Sequence, residues 1–262
     1  MQEAGQSALE DRVAVVTGGG RGIGRAIALG MAQQGATVVV SSRTQQQLDA
    51  VVAEINDAGG RGVVVVADAA DEDQARSPVR MAVAEFGRID VLVNNVGGSS
   101  GGNHDPFSGS AEPFMATLKL NLISAFWTSQ EALSPMREQG YGRIINIGSG
   151  ASKRAAASVG YTAAKHGLVG LTKQLAMAAA PHGITVNCLC PGWTNTALVD
   201  FEKLAAAKGV TAAQAEADVH SDSAQRRILE PEELAPMAVL LASEAGGGIT
   251  GQVISVDGGY RL

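Results

Sequence analysis

Val13-Ala14-Val15-Val16-Thr17-Gly18-Gly19-Gly20-Arg21-Gly22-Ile23-Gly24-Arg25-Ala26-Ile27-Ala28-Leu29 decides the fold. The opening residues are an apolar, β-branched run of strand length, and the closing ones have helical spacing with no breaker. Between them, glycines at 18, 22 and 24 let the backbone turn sharply, approach a ligand with no Cβ in the way, and pack helix on strand. A helix that starts at such a turn presents free N–H groups and a positive partial charge, which suits a pyrophosphate.

Outward from this stretch, apolar β-branched runs recur at Thr37–Val40, Val63–Ala67, Val91–Val93, Ile144–Ile147, Ile184–Leu189 and Val253–Val256, separated by Ala-rich segments of helical period. Strands that are apolar throughout require cover on both faces. The order βαβα therefore predicts the α/β class: a doubly wound parallel sheet of Rossmann type with helices on both faces. Ligands in such sheets bind past the carboxyl ends of the strands.

The chain has 262 residues, 45% apolar and 18% charged, and no Pro/Gly/Ser tract or charge block marks a linker. One domain over residues 11–262 is expected, preceded by a polar extension at 1–10. The net charge of −6 is scattered, so no basic footprint for nucleic acid or an anionic membrane is legible. The stretch Gln174–Val199 lacks Asp, Glu, Lys and Arg, but Pro181, Gly183, Asn187 and Pro191 interrupt it too often for a membrane span. The N-terminus lacks an apolar h-region, and a cytoplasmic location is expected. Cys188 and Cys190 read as a strand pair on one face with a structural role, and His104, His166, His182 and His220 lack metal-ligand spacing. No metal is expected.

The spacing G-x-x-x-G-x-G at Gly18, Gly22 and Gly24 resembles the short-chain dehydrogenase/reductase family, in its 3-oxoacyl reductase-like branch. The family's other motifs follow in order: Asp68, Asn94-Asn95-Val96-Gly97, Asn121, Ser149, Tyr161-Thr162-Ala163-Ala164-Lys165, Pro191-Gly192-Trp193-Thr194-Asn195-Thr196 and Asp257-Gly258-Gly259. Val96 stands where the family usually has Ala. The resemblance covers the chain from about Asp11 onward.

Tyr161 and Lys165, at i and i+4, put an ammonium beside a phenol on one helix face. A phenol ordinarily holds its proton to a pH near ~10. Using one near neutrality takes about 4 kcal/mol of help from positive charge. Ser149, directly after the fifth strand, is the candidate to hydrogen-bond a substrate carbonyl, although Ser152 and Ser158 lie close by. By resemblance, Asn121 bends its helix so that its backbone carbonyl holds a water leading from Lys165 to solvent. Hydride would pass between nicotinamide and the carbonyl carbon while Tyr161 protonates the oxygen.

A site for NAD would place Asp or Glu about twenty residues beyond the Gly loop, to take the ribose hydroxyls. Here that position is Ser42, followed by Arg43, with Arg21 inside the loop. Absence of a carboxylate and presence of guanidinium groups favour a 2′-phosphate, hence NADP(H), with NAD(H) as the alternative. Gly18, Arg21, Gly22, Ile23 and Gly24 form the cofactor loop. By resemblance, Asp68 and Ala69 touch the adenine, Asn95 and Gly97 line the adenosine side, and Pro191, Gly192, Thr194 and Thr196 hold the nicotinamide, which Tyr161 and Lys165 also approach.

The segments Gly98–Ser110 and Ala197–Arg227 carry no fixed family meaning and are candidate pocket walls. The second has apolar residues at helical spacing (Leu198, Phe201, Leu204) and reads as a helical lid at about 197–227. Trp193 either borders the same pocket or packs its own loop. Gly140 and Met177 stand where carrier-docking reductases have arginines, which argues against an acyl carrier protein as partner. The expected activity is an NADPH-dependent carbonyl reductase, reversible as a secondary alcohol dehydrogenase, acting on a ketone or 3-oxoacyl-type small molecule. An NAD-dependent catabolic alcohol dehydrogenase and a non-catalytic nucleotide sensor are the alternatives. By resemblance the chain assembles as a homo-oligomer, a tetramer or otherwise a dimer.

Overall fold

A strand buried along its whole length, as Val13–Thr17 (β1) is, needs helices on both of its faces. The computed structural model, which describes residues 7–98, 107 and 110–262, provides them. The remaining strands are β2 (Thr37–Ser42), β3 (Arg61–Val66), β4 (Val91–Asn94), β5 (Gly142–Ile147), β6 (Ile184–Pro191) and β7 (Val253–Val256). All pair in parallel in one sheet ordered β3-β2-β1-β4-β5-β6-β7. The helices are α1 (Gly22–Gln33), α2 (Gln45–Asp57), α3 (Glu72–Phe86), α4 (Glu112–Leu118), α5 (Ser124–Gln139), α6 (Val159–Ala179), α7 (Phe201–Lys208), α8 (Ala212–Ser221) and α9 (Ala235–Ala242).

Strand residues alternate between two cores. Ala14, Val16, Val38 and Val40 pack with Ile27, Met31, Leu48 and Leu241 from α1, α2 and α9. Val13, Val15 and Val39 pack with Val79, Ala132, Met136 and Ala176 from α3, α5 and α6. Each fully buried aliphatic side chain stabilises by about 1.5–3 kcal/mol, so neither layer is dispensable. Strand ends depart from the apolar runs where pairing carries the backbone further. Gly142 pairs with Ile184, which starts β5 two residues before Ile144, and Pro191 pairs with Val256, which carries β6 past Leu189.

The order of strands reverses between β1 and β4, and this seam is fastened at both ends. At its amino end the fully buried Asp90 carboxylate accepts from the Val13 amide at 2.9 Å, from Arg88 at 2.6 and 2.8 Å, and from Arg12 at 3.2 Å. Beside it the Tyr141 ring lies between the guanidinium groups of Arg12 and Arg143, 3.8 and 4.2 Å from its centroid. At the carboxyl end, Thr17 Oγ1 donates to the Val93 carbonyl at 3.2 Å and accepts from the Asn95 amide at 3.1 Å.

A buried polar chain ties the next layer. Asn94 Nδ2 donates to Asn146 Oδ1 at 2.8 Å and to Ser129 Oγ at 3.0 Å. Asn94 Oδ1 accepts from Thr128 at 2.6 Å, and Asn146 Nδ2 donates to Thr172 Oγ1 at 2.9 Å. Satisfied in this way, the amides fix α5 and α6 against β4 and β5; left unpaired they would each cost about 1–3 kcal/mol.

The segment at 197–227 is helical, in two pieces. Gly209, at φ +68°, ends α7, and Thr211 with Gln214 forms a capping box that starts α8. No helix among the described residues is long and apolar enough to cross a membrane. Residues 1–6 of the N-terminal extension and positions 99–106 and 108–109 of the Gly98–Ser110 loop, His104 among them, lie outside the described residues.

Candidate active site

The turn from β1 into α1 has the shape its glycines require. Gly22 sits at φ +53°, where a Cβ is strained. A Cβ on Gly24 would run into the Gly18 carbonyl oxygen and Asn95 Nδ2. Asn95 Nδ2 in turn donates to the Thr17 and Gly18 carbonyls at 3.2 and 3.1 Å and holds the loop's shape. No side chain caps α1: Arg21, at its start, is extended, and the amides of the first turn, Ile23 among them, are left for an anion. Val96 packs its methyls 3.4 Å from where a Gly18 Cβ would stand, which narrows this corner relative to Ala.

The end of β2 meets the loop directly. Ser42 Oγ accepts from the Thr44 amide at 3.3 Å and lies 3.1 Å from the position of a Cβ on Gly20. The neighbouring Arg21 and Arg43 guanidinium groups have no hydrogen-bond or ion-pair partner among the described residues, whereas Arg25 binds Glu54 and Glu232. A crevice past the strand ends is lined by Thr17, Ser42, Ala69 and Val96, among others. Asp68 follows Ala67, which also lines it, and its carboxylate accepts from the Ala70 amide at 2.9 Å while its own amide donates to Gln74 at 3.1 Å.

On the other side of β4 the residues singled out for proton transfer converge. Tyr161 lies in the first turn of α6 and Lys165 one turn later, with Nζ 5.6 Å from the Tyr161 ring centroid. The Lys165 ammonium is buried and donates to the Ile147 carbonyl at 2.7 Å, two residues before Ser149. A Cβ on Gly97 would lie 3.1 Å from that ammonium and 2.8 Å from Asn121 Oδ1, so both groups reach the end of β4.

Asn121 sits in a π-helical turn, Lys119–Ile123, between α4 and α5. Its side chain accepts from the Gly98 amide at 2.9 Å and donates to the Gly98 and Thr117 carbonyls at 2.7 and 2.9 Å. π-Turns often mark functional sites. This one turns an amide side chain onto the loop after β4, a contact the sequence reading did not anticipate.

The three nearby serines separate by what they bind. Ser152 Oγ is buried and accepts from the Ser149 amide at 3.1 Å, and Ser158 caps α6 by accepting from the Tyr161 amide at 3.3 Å. Ser149 Oγ accepts from the Ala151 amide at 3.2 Å, and its proton has no partner among the described residues. Beneath it the buried Cys188 and Cys190 sulfurs are 3.7 Å apart on one face of β6. The hydrogen bond between them pushes the Cys188 thiol up, with burial adding to the rise, and draws the Cys190 thiol down. Among the described residues no cluster of His, Cys, Asp and Glu could hold a metal.

After β6, the Thr196 methyl lies 3.1 Å from the position of a Cβ on Gly22, so this loop reaches the Gly loop. Thr194 Oγ1 donates to the Gly192 carbonyl at 3.2 Å, and the backbone of 193–195 pairs with Leu229. Leu198, 68% exposed, stands 3.8 Å from where a Gly98 Cβ would be, across the mouth of the site. Trp193 packs edge-on to Tyr260, and its Nε1 donates to Asp222 at 3.0 Å. Asp222 also takes a bidentate pair from Arg261 at 2.8 and 2.9 Å. Burial pushes its carboxyl up, but those bonds prevail and hold it below the usual range. Sequence reading missed this cluster because Trp193, Asp222 and Arg261 stand 29 to 68 positions apart and carry no periodic signal.

Residues 18–261 match the family profile described as "Enoyl-(Acyl carrier protein) reductase". The chain is 39% identical over 252 residues to the short-chain reductase protein NovJ of Streptomyces niveus, covering 95% of this chain and 94% of that protein. It is 38% identical to the D-beta-hydroxybutyrate dehydrogenase of Cupriavidus necator, covering 96% of this chain and 98% of that protein. Among solved structures, an actinorhodin polyketide ketoreductase with NADPH superposes with a TM-score of 0.89 at 31% identity, covering 99% of both chains.

Proposed function

The chain belongs to the short-chain dehydrogenase/reductase family, oxidoreductases that work between an alcohol and a carbonyl, and we propose that it is an NADPH-dependent reductase of ketones. The observation that carries the proposal is the buried Lys165 ammonium, bonded to the Ile147 carbonyl and 5.6 Å from the centre of the Tyr161 ring. A buried charge is expensive, and a protein that only sensed a nucleotide has no use for this one.

The glycine cradle at 18, 22 and 24 and the uncapped start of α1 fit a dinucleotide pyrophosphate. Arg21 and Arg43, without partners among the described residues and beside Ser42, fit a 2′-phosphate; a carboxylate at Ser42 would repel it. Asp68 and Ala69 would border the adenine, Asn95 and Gly97 the adenosine side, and Pro191, Gly192, Thr194 and Thr196 the nicotinamide. When bound, the nicotinamide supplies the hydride. Ser149 orients the carbonyl through its free hydroxyl proton, and Tyr161 gives its phenolic proton to the carbonyl oxygen. Lys165 steadies the phenolate left behind. Asn121 holds the loop after β4 against Lys165 through Gly98.

The hydroxybutyrate and polyketide chemistry named for the relatives supports a ketone on a carbon chain, free or as a thioester. Met177 and Gly140 lack the charge an acidic carrier protein would bind, which favours a small-molecule substrate. Assembly as a homotetramer in the cytoplasm completes the proposal, supported by the family and by the absence of a membrane-crossing helix among the described residues.

The test is loss of reduced-nicotinamide absorbance with a short 3-oxoacyl coenzyme A thioester, a cyclic ketone, an aryl ketone and a quinone, using NADPH and NADH in parallel. Turnover with NADPH that falls at least about a hundredfold in Tyr161→Phe, with cofactor binding intact, is the expected result. Silence with both cofactors would overturn the reading, and faster turnover with NADH would reassign the cofactor.

A further inference from the structure

The segment from Ala197 to Arg227 touches the rest of the protein differently at its two ends. Its leading end is light. Leu198 crosses the mouth of the site toward Gly98, and the bonds recorded there, Leu198 N to Thr196 Oγ1 and Val199 N to the Thr196 carbonyl, are local. Its trailing end is heavily fastened, and almost every fastening passes through or beside Asp222. The carboxylate takes Trp193 Nε1 at 3.0 Å and the Arg261 fork at 2.8 and 2.9 Å, while the Asp222 carbonyl accepts from the Arg261 amide at 2.7 Å. Ser223 pairs with Tyr260, and the Ala224 and Gln225 amides donate to the Gly259 and Gly258 carbonyls. Arg154, in the loop that follows Ser149, donates to the Tyr260 carbonyl at 2.8 Å.

One carboxylate therefore joins three parts: the end of α8, the Trp193 loop and the C-terminal tail. We propose that Asp222 is a positioning residue for substrate, anchoring the α7–α8 lid so that Leu198 stands at a fixed height over the site. The proposal rests on the ketone-reductase reading for its kinetic consequence, and on geometry alone for its mechanical one. Asp222 touches neither the proton-transfer residues nor the Gly loop, and its one contact with the nicotinamide side is through Trp193, so its loss acts first on how substrate is held and only through that side chain on the cofactor. Because Leu198 presents an apolar, largely exposed side chain to the mouth, the substituent it covers is an apolar one.

The experiment uses the full chain with Asp222→Asn and Arg261→Gln. Arg261→Gln alters a half-exposed side chain and is the second variant should Asp222→Asn fold poorly. Trypsin cleavage after Lys203, Lys208, Arg226 and Arg227 is followed by mass spectrometry, and steady-state constants are measured for the best ketone. The anchor predicts cleavage within the lid at least about fivefold faster in both variants. It also predicts a ketone KM raised about tenfold, a larger change than that in the NADPH Kd, which feels the loss only through Trp193. Unchanged cleavage and KM, even with a lowered Tm, would reduce Asp222 to a structural residue and overturn the proposal, as would faster cleavage with unchanged KM. If the parent protein reduces no ketone, the ketone-reductase reading fails, and the cleavage pattern alone then decides whether Asp222 is the anchor.

Discussion

Replacing Gly24 by Ala sets two effects of opposite sign against each other. In an open helix the change stabilises by about 1 kcal/mol. At this position, in the first turn of α1, the new methyl would collide with the Gly18 carbonyl oxygen and Asn95 Nδ2 and lie 2.9 Å from the Gly18 carbonyl carbon. The loop must withdraw, and the bonds from Asn95 to the Thr17 and Gly18 carbonyls go with it. Two neutral hydrogen bonds at about 1 kcal/mol each and overpacking of about 1–3 kcal/mol give a cost of about 3–5 kcal/mol. After the helix gain the net loss is about 2–4 kcal/mol, or roughly 5–15 °C in Tm for a chain of this size. Thermal unfolding followed by circular dichroism measures it, and Gly170→Ala is the internal reference. Gly170 is exposed in α6, with nothing within 4 Å of its would-be Cβ, so there the helix gain stands alone. The NADPH Kd should rise in Gly24→Ala, because the first amides of α1 move with the loop. A Gly24→Ala protein that melts at or above the parent refutes the steric argument.

Arg43→Ala should raise the KM for NADPH roughly 10–100-fold, the worth of a charge-assisted hydrogen bond, and barely change that for NADH; equal effects would remove the 2′-phosphate assignment. Asn146→Leu leaves Asn94 and Thr172 short of partners in a dry interior and should cost about 2–4 kcal/mol in denaturant unfolding. The double variant with Thr172→Val should cost less than the sum of the two single changes, and strict additivity would argue against a connected network. Arg227 holds the Glu233 carboxyl at about 2, and Asp222 is likewise held below its ordinary value. Both are depressed by folding, so their support is full above the usual carboxylate range and is lost as pH falls through the folded values. Trp193 emission in a Trp127→Phe background should therefore be flat from about pH 7 to 5 and change between about pH 4 and 2, and a transition near about pH 6 would contradict this.

The sheet was legible because a strand covered on both faces announces itself by composition alone, as Val13–Thr17 does, and even the partly exposed edge strand Val253–Val256 has the bounds its apolar run suggests. Where pairing rather than burial sets the end, as at Gly142 or Pro191, composition stops short. The break between α7 and α8 has a local signal in Gly209 followed by Thr211-x-x-Gln214, which end one helix and start the next. Tyr161 and Lys165 could be paired because helical spacing is periodic. The Lys165 bond to Ile147, the Asn121 side chain on Gly98, and Asp222 between Trp193 and Arg261 join elements distant in sequence, and such contacts exist only once the chain has folded.

The seam between β1 and β4 has a thermodynamic consequence. With Asp90 fastening one end and Thr17 the other, the crevice that opens above it is an aperture of set width. A ligand entering there finds its contacts preorganised and meets little ordering entropy, so affinity on this side follows from fit, and a group too wide for the gap is refused rather than accommodated. On the side beneath Leu198 the wall is a helical segment, and it is fastened to the Trp193 loop and the C-terminal tail through Asp222. The two halves of the cleft are therefore held by different means, one by the sheet itself and the other by side chains distant in sequence.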